Sequence, residues 1–209
     1  MIKNKVKLFV FFLLPLLIAE AKKPNILFIF ADDQCYETIR ELKITDIDTP
    51  HLDRLMKAGT SFTRAYNMGS WSGAVCVASR HMLNTGRFIW DAEIASKNAE
   101  QERSAGRWWS EYMKKAGYTT YMTGKWHVRA DAEKCFDVVR NLRGGMPNQT
   151  PEGYNRPLPN QPDPWSPFDP KFEGFWKGGK HWSEVVADDA LFFFEQARKH
   201  QSENPFFAY

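Results

Sequence analysis

An α/β domain, with a mainly parallel sheet flanked by helices, is the fold class that this sequence predicts. Three observations carry it. Short apolar runs such as Asn25 to Phe30 have strand length and suit strands covered on both faces. Stretches with apolar residues at i, i+3, i+4 and i+7 alternate with these runs, and strand–helix alternation is the pattern of a parallel sheet under helices. Aromatic residues make up 15 % of the 209 positions, with eight tryptophans, so one domain with a substantial core is expected rather than a disordered chain.

The elements follow in order. Residues 1–21 read as a secretory signal peptide: Lys3, Lys5 and Lys7 precede an apolar run from Leu8 to Ile18, and Ala19-Glu20-Ala21 forms an A-x-A exit. That run is shorter than the ~20 residues needed to cross a bilayer, and Pro15 interrupts it. No stable membrane span is expected. Cleavage near Ala21 would release residues 22–209 as a secreted or periplasmic domain. The residue directly after Ala21 is Lys22 and not a cysteine, so a lipid-anchored start is not indicated. Asn25 to Phe30 is then the first strand, with Asp32 and Asp33 directly after it. Thr49 and Pro50 open a helix as N-cap and first-turn proline, Leu52, Leu55 and Met56 form its stripe, and Gly59 ends it. Thr60 to Tyr66 alternates like a strand.

A short helix runs from Cys76 to Thr85 and stops at Gly86. Another spans about Ala105 to Ala116, striped by Trp109, Tyr112, Met113 and Ala116, and Gly117 caps it before a β-rich stretch from Tyr118 to Thr123. A last helix, about Ser183 to Lys199, carries Ala187, Ala190, Leu191 and Phe194 at helical spacing, with Asp188 and Asp189 as a polar face. Pro205 to Tyr209 begins a further strand. A core strand needs neighbours for its hydrogen bonds and apolar surface, so the chain reads as the front portion of a larger domain. Residues 147–182 stand apart, holding eight of the twelve prolines together with Trp165, Phe168, Phe172, Phe175, Trp176 and Trp182. These aromatics either stack on a sugar ring or pin a loop to the core.

Charge excludes one class of partner. Without the three lysines and one glutamate of residues 1–21, the net charge falls from +3 to +1. Nucleic-acid binding draws on concentrated positive charge, which is absent. Cys35, Cys76 and Cys135 are an odd count for an oxidising compartment; if Cys76 is consumed by modification, the other two either pair or stay free.

Three motifs carry chemistry. Asp32 and Asp33 sit where a strand ends, the edge at which open α/β sheets collect ligands, and adjacent carboxylates supply hard oxygen donors for Ca²⁺ or Mg²⁺. Cys76 lies at a helix start, where free N–H groups and positive potential favour an anion, and Arg80 lies one turn later on the same face. Lys125 and His127 follow a strand, so they should emerge at the edge that holds Asp32; in an extended segment, positions two apart point to one side.

The runs Pro24-Asn25-Ile26-Leu27-Phe28-Ile29-Phe30-Ala31-Asp32-Asp33-Gln34, Cys76-Val77-Ala78-Ser79-Arg80 with Leu83-Asn84-Thr85-Gly86-Arg87, and Gly124-Lys125-Trp126-His127 resemble, in order, the signatures of the formylglycine-dependent sulfatases. Ala78 stands where that pattern more often has proline. The resemblance extends from Pro24 through Tyr209. It implies an alkaline-phosphatase-like fold, incomplete toward the C-terminus, and hydrolysis of sulfate esters. It implies that a maturase converts Cys76 to formylglycine, the nucleophile. Asp32 and Asp33 would bind a divalent metal, usually calcium, which the group made from Cys76 also touches. Arg80 would steady the formylglycine, Lys125 would contact it and the sulfate, and His127 would hydrogen-bond the hydrated aldehyde. The substrate would be a sulfated small molecule or glycan. No convincing match to the family's later metal ligands and substrate-binding His and Lys follows His127, so this stretch alone is expected to be inactive. Two alternatives remain open: a phosphate or phosphonate ester hydrolase of the same superfamily, and a non-catalytic remnant that only binds.

Overall fold

The structure is a computed structural model and describes residues 22–145, 150–155, 157–166, 169–172, 176–177, 180–199 and 204–209. The export segment 1–21, His200, Phe168 and Phe175 lie outside the described residues. Six strands and eight α-helices are formed among the described residues, in the order β1 (Ile26–Leu27), α1 (Pro50–Ala58), α2 (Val75–Thr85), α3 (Ile89–Lys97), α4 (Ala99–Ser104), α5 (Trp109–Lys115), β2 (Thr119–Lys125), α6 (Ala132–Cys135), β3 (Val138–Arg143), α7 (Pro151–Tyr154), β4 (Trp176–Lys177), β5 (Lys180–His181), α8 (Trp182–Lys199) and β6 (Phe206–Ala208). The main sheet is parallel throughout, ordered β1-β6-β2-β3, as the apolar runs predicted. β4 and β5 pair separately as a short antiparallel ribbon.

Alternation along the strands sorts two cores. Met122 and Phe207 face a cluster that also contains Trp108, Trp126, Cys135 and Phe136. Tyr121 and Ala208 face the other way, onto Phe193 of α8. Each large apolar side chain buried in this way contributes roughly 1.5–3 kcal/mol relative to exposure. Because every strand of the sheet runs the same way, the carboxyl ends of β1, β6 and β2 lie side by side on one edge. That edge carries Asp32, Tyr209 and Lys125.

Several expectations need correction. The first strand is not covered on both faces. Ile26 and Phe28 pack against the core, whereas Leu27 and Ile29 remain 47 % and 73 % exposed, because their face opens onto a cavity between β1 and α8. Thr60 to Tyr66 forms no strand, and the stripe of α1 packs against little: Leu52 and Leu55 are exposed. The helix expected from Ala105 starts only at Trp109, since Gly106 has a φ of 73° and breaks the chain direction. In α8 the buried face is Val185, Asp189 and Phe193, rotated from the expected stripe, so Asp189 is no solvated polar residue. The α2 boundaries stand as expected, with Gly86 at φ 64° closing the helix. All three cysteines are free thiols; Cys35 is exposed, while burial pushes the Cys135 thiol up to about 12.

Candidate functional site

The site is assembled by the first turn of α2 and the carboxyl edge of the sheet. Cys76 is the second residue of α2, where backbone N–H groups lack partners within the helix. Its Sγ lies 3.3 Å from Nδ1 of His127. Burial, then the neighbouring charges of Lys125 and Arg80, lower the His127 pKa, against an opposing pull from Asp32. A ring held neutral near pH 7 can accept the S–H proton at Nδ1.

Lys125 ends β2, and its Nζ reaches Oδ2 of Asp32 at 2.5 Å, tying the ends of two strands together. Arg80 is only 3 % exposed. Its Nη1 donates to the Lys125 carbonyl and, at 3.1 Å, to the Tyr209 hydroxyl, while its guanidinium lies 5.1 Å from the centre of the Phe30 ring. Burial raises the Tyr209 pKa, with Arg80 pulling the other way, so the phenol stays protonated. Arg80 therefore bolts α2 to both β2 and the end of β6.

Lys125 and His127 do not share one extended segment. The strand ends at Lys125, Trp126 turns into the core, and His127 adopts a left-handed backbone at φ 54°. This turn, rather than strand alternation, sends Lys125 to Asp32 and His127 to Cys76. Asp33 also has a positive φ, 56°, and is exposed. Five of the six residues singled out from sequence are thus linked by contacts, through Cys76–His127, Asp32–Lys125 and Arg80–Lys125. Asp33 is adjacent in the chain and makes no contact of that kind in the set. Tyr209 was not anticipated; its only sequence signal was its place at the carboxyl end of a strand.

Among the described residues, no three His, Cys, Asp or Glu side chains are grouped to hold a metal. Asp32 and Asp33 nonetheless fit part of a hard-cation shell: both are oxygen donors on the ligand-collecting edge, and Asp32 already attracts an ammonium group. A cavity of about 920 Å³ opens beside them between β1 and α8. Asp32, Arg80 and Lys125 stand at its polar end, and Leu27, Ile29 and Leu191 line its apolar part. Cys76 and His127 are not among its walls.

The sulfatase family model matches residues 24–209. This chain belongs to the sulfatase family. Among its relatives, an N-acetylgalactosamine-6-O-sulfatase of Bacteroides thetaiotaomicron is 38 % identical over 112 residues, covering 52 % of this chain and 21 % of that protein. An N-acetylglucosamine-6-O-sulfatase of the same organism is 27 % identical over 190 residues, covering 87 % of this chain and 29 % of the relative. A ulvan-active sulfatase of Formosa agariphila is 34 % identical over 119 residues, covering 54 % and 22 % respectively. The matches to this sulfatase chain thus span less than a third of the length of these three relatives. Sulfuric ester hydrolysis is the general chemistry that the family resemblance supports. Among the described residues, no helix is long and apolar enough to cross a membrane.

Proposed function

We propose that this chain supplies the nucleophile half of a sulfuric ester hydrolase, in which Cys76 is converted to formylglycine and acts on a sulfated carbohydrate. The observation that carries the reading is the Sγ–Nδ1 contact of Cys76 with His127, beside the Asp32–Lys125 ion pair, on one sheet edge. Residues far apart in sequence have no packing reason to gather two cations, a histidine, a thiol and a carboxylate there; a charged ester does supply one.

The roles follow from position. The Lys125 ammonium and the N-terminal turn of α2 attract the sulfate oxygens. The formylglycine hydrate would supply two hydroxyls, one to attack sulfur as its bond to the alcohol oxygen breaks and one whose deprotonation would let sulfate go and restore the aldehyde; His127, neutral near pH 7, would be the group that holds that second hydroxyl's proton. Arg80 holds α2 against the Lys125 carbonyl and so fixes the distance between nucleophile and ammonium. Asp32 and Asp33 would hold a divalent cation such as Ca²⁺ or Mg²⁺, which when bound polarises the nucleophile and the ester oxygens.

The sulfated sugar as substrate rests on the relatives, whose names specify N-acetylgalactosamine, N-acetylglucosamine and ulvan sulfatases. The aromatic stretch 147–182 is the candidate for gripping that sugar. Residues 1–21 are read as the export signal that brings the enzyme to extracellular glycans.

Peptide mass analysis of the Cys76 segment, after co-expression with a formylglycine-generating maturase, tests the central step; an aldehyde is expected, and a persistent thiol overturns the mechanism. Paired assays of the full gene product on aryl sulfate and aryl phosphate then test the reaction. Preference for phosphate would replace the sulfatase reading with a phosphohydrolase one, and binding without turnover would leave a remnant.

A further inference from the structure

The chain that delivers Lys125 and His127 to the site carries a register shift, and a buried acid on another element holds it. In the parallel pairing of β2 with β3, Thr123 lies opposite Arg140, whereas Gly124 lies opposite Leu142. Asn141 is the extra residue, and it adopts a positive φ of 41°. Bulges are rare in parallel pairs and are found near active sites, where they re-aim a side chain. Here the shift immediately precedes the last strand residue, Lys125.

Asp189 of α8, 2 % exposed, bonds the residues on both strands at which the register changes, Thr123, Arg140 and the extra residue Asn141. Its Oδ2 accepts from Thr123 Oγ1 at 2.7 Å, its Oδ1 accepts from Arg140 Nε at 2.8 Å, and both oxygens accept from Asn141 Nδ2, at 3.0 and 2.9 Å. Arg140 is held from the other side by Phe192, whose ring centre is 4.2 Å from the guanidinium carbon. Gly124, at φ 90°, lets the strand pass Val186 of the same helix. A buried carboxylate is tolerated only when its lone pairs are filled, and all the donors that fill these come from the bulge.

We propose that Asp189 is a positioning residue, clamping the β2–β3 bulge so that the chain leaves the sheet with Lys125 on Asp32 and His127 on Cys76. This rests on reading Lys125 and His127 as members of the site. Asp189 touches no reacting group itself; it acts through Thr123 and Asn141.

The unmodified chain contains its own reporters. His127, with Nδ1 3.3 Å from the Cys76 Sγ, is placed to accept the thiol proton as Cys76 is alkylated, exposed Cys35 gives a reference rate, and buried Cys135 reports loosening of the core. Iodoacetamide alkylation of each cysteine is followed by peptide mass spectrometry in wild type, Asp189→Asn, Thr123→Val and His127→Ala. The expected result is a fall on the order of tenfold in the Cys76 rate for Asp189→Asn, a smaller fall for Thr123→Val, and unchanged Cys35 and Cys135. Wild-type reactivity of Cys76 in both clamp variants, with His127→Ala slow, overturns the clamp and leaves the site reading intact. Wild-type reactivity in His127→Ala overturns the site reading on which the clamp depends. If Asp189→Asn also opens Cys135, Thr123→Val decides: a slowed Cys76 with a closed Cys135 supports the clamp, and no change rejects it.

Discussion

Acidification should destabilise this fold through His81, and replacing that histidine should remove the effect. His81 is fully buried on α2, at 0 % exposure, and neither ring nitrogen has a hydrogen-bond partner among the described residues. Its ring lies 6.1 Å from those of Trp71 and Trp108. Burial, reinforced by the positive charges of Arg129 and His127, lowers its pKa to about 4. In the unfolded chain it titrates near 6.5. Between these values the unfolded state binds a proton that the folded state refuses, so stability falls as pH drops through that window. With about 1.4 kcal/mol per pKa unit, the contribution present above pH 6.5 and lost near pH 4 is about 3 kcal/mol. His81→Leu replaces a buried ring with two unmet nitrogens by an apolar side chain, and should be neutral or stabilising at pH 7. Urea unfolding of both proteins at pH 7 and at pH 4.5 measures the difference. Other groups titrate in both proteins alike, so the informative quantity is the gap between the two pH dependences. Parallel curves would refute the argument, as would a large loss in His81→Leu at neutral pH.

Three further outcomes follow from the contacts around the site. Tyr209→Phe removes the hydroxyl that accepts from buried Arg80; losing a hydrogen bond to a charged group should cost about 1.5–3 kcal/mol in urea titrations. Gly124→Ala places a side chain at φ 90° with its Cβ 3.4 Å from Val186, and a lower thermal midpoint, by more than ~1 kcal/mol in stability, is expected. Cys76→Ala, in the full gene product, should reduce turnover by on the order of 10³ or more while leaving the thermal midpoint near wild type, since the half-buried thiol fills little of the core.

Much of this architecture could be read from residues that act locally. Thr49, Pro50, Gly86 and Gly117 punctuate helices through their own backbone preferences, and the observed boundaries follow them. Cys76, Arg80, Lys125 and His127 stand out because their motifs, in order and context, resemble the sulfatase signatures; fold reasoning adds only that strand ends and helix starts in an α/β fold face a common edge. What escaped depends on partners remote in sequence. The Asn25–Phe30 run gives no indication that one of its faces would stay open, because that is decided by how far α8 reaches over β1. Asp189 was assigned to solvent by its charge alone; its spacing of four from both Val185 and Phe193 already placed it on the buried stripe. The turn at His127 was missed because a left-handed histidine has no composition signature.

The strand order has a bearing on biosynthesis. β6 lies between β1 and β2, and its Phe206 amide bonds the Asn25 side chain across 181 positions. Among the described residues the earliest strand therefore has no sheet partner until residues 206–208 clear the ribosome, and until then Ile26 and Phe28, which pack against the core beside Phe207 in the fold, are available to chaperones or to misassociation.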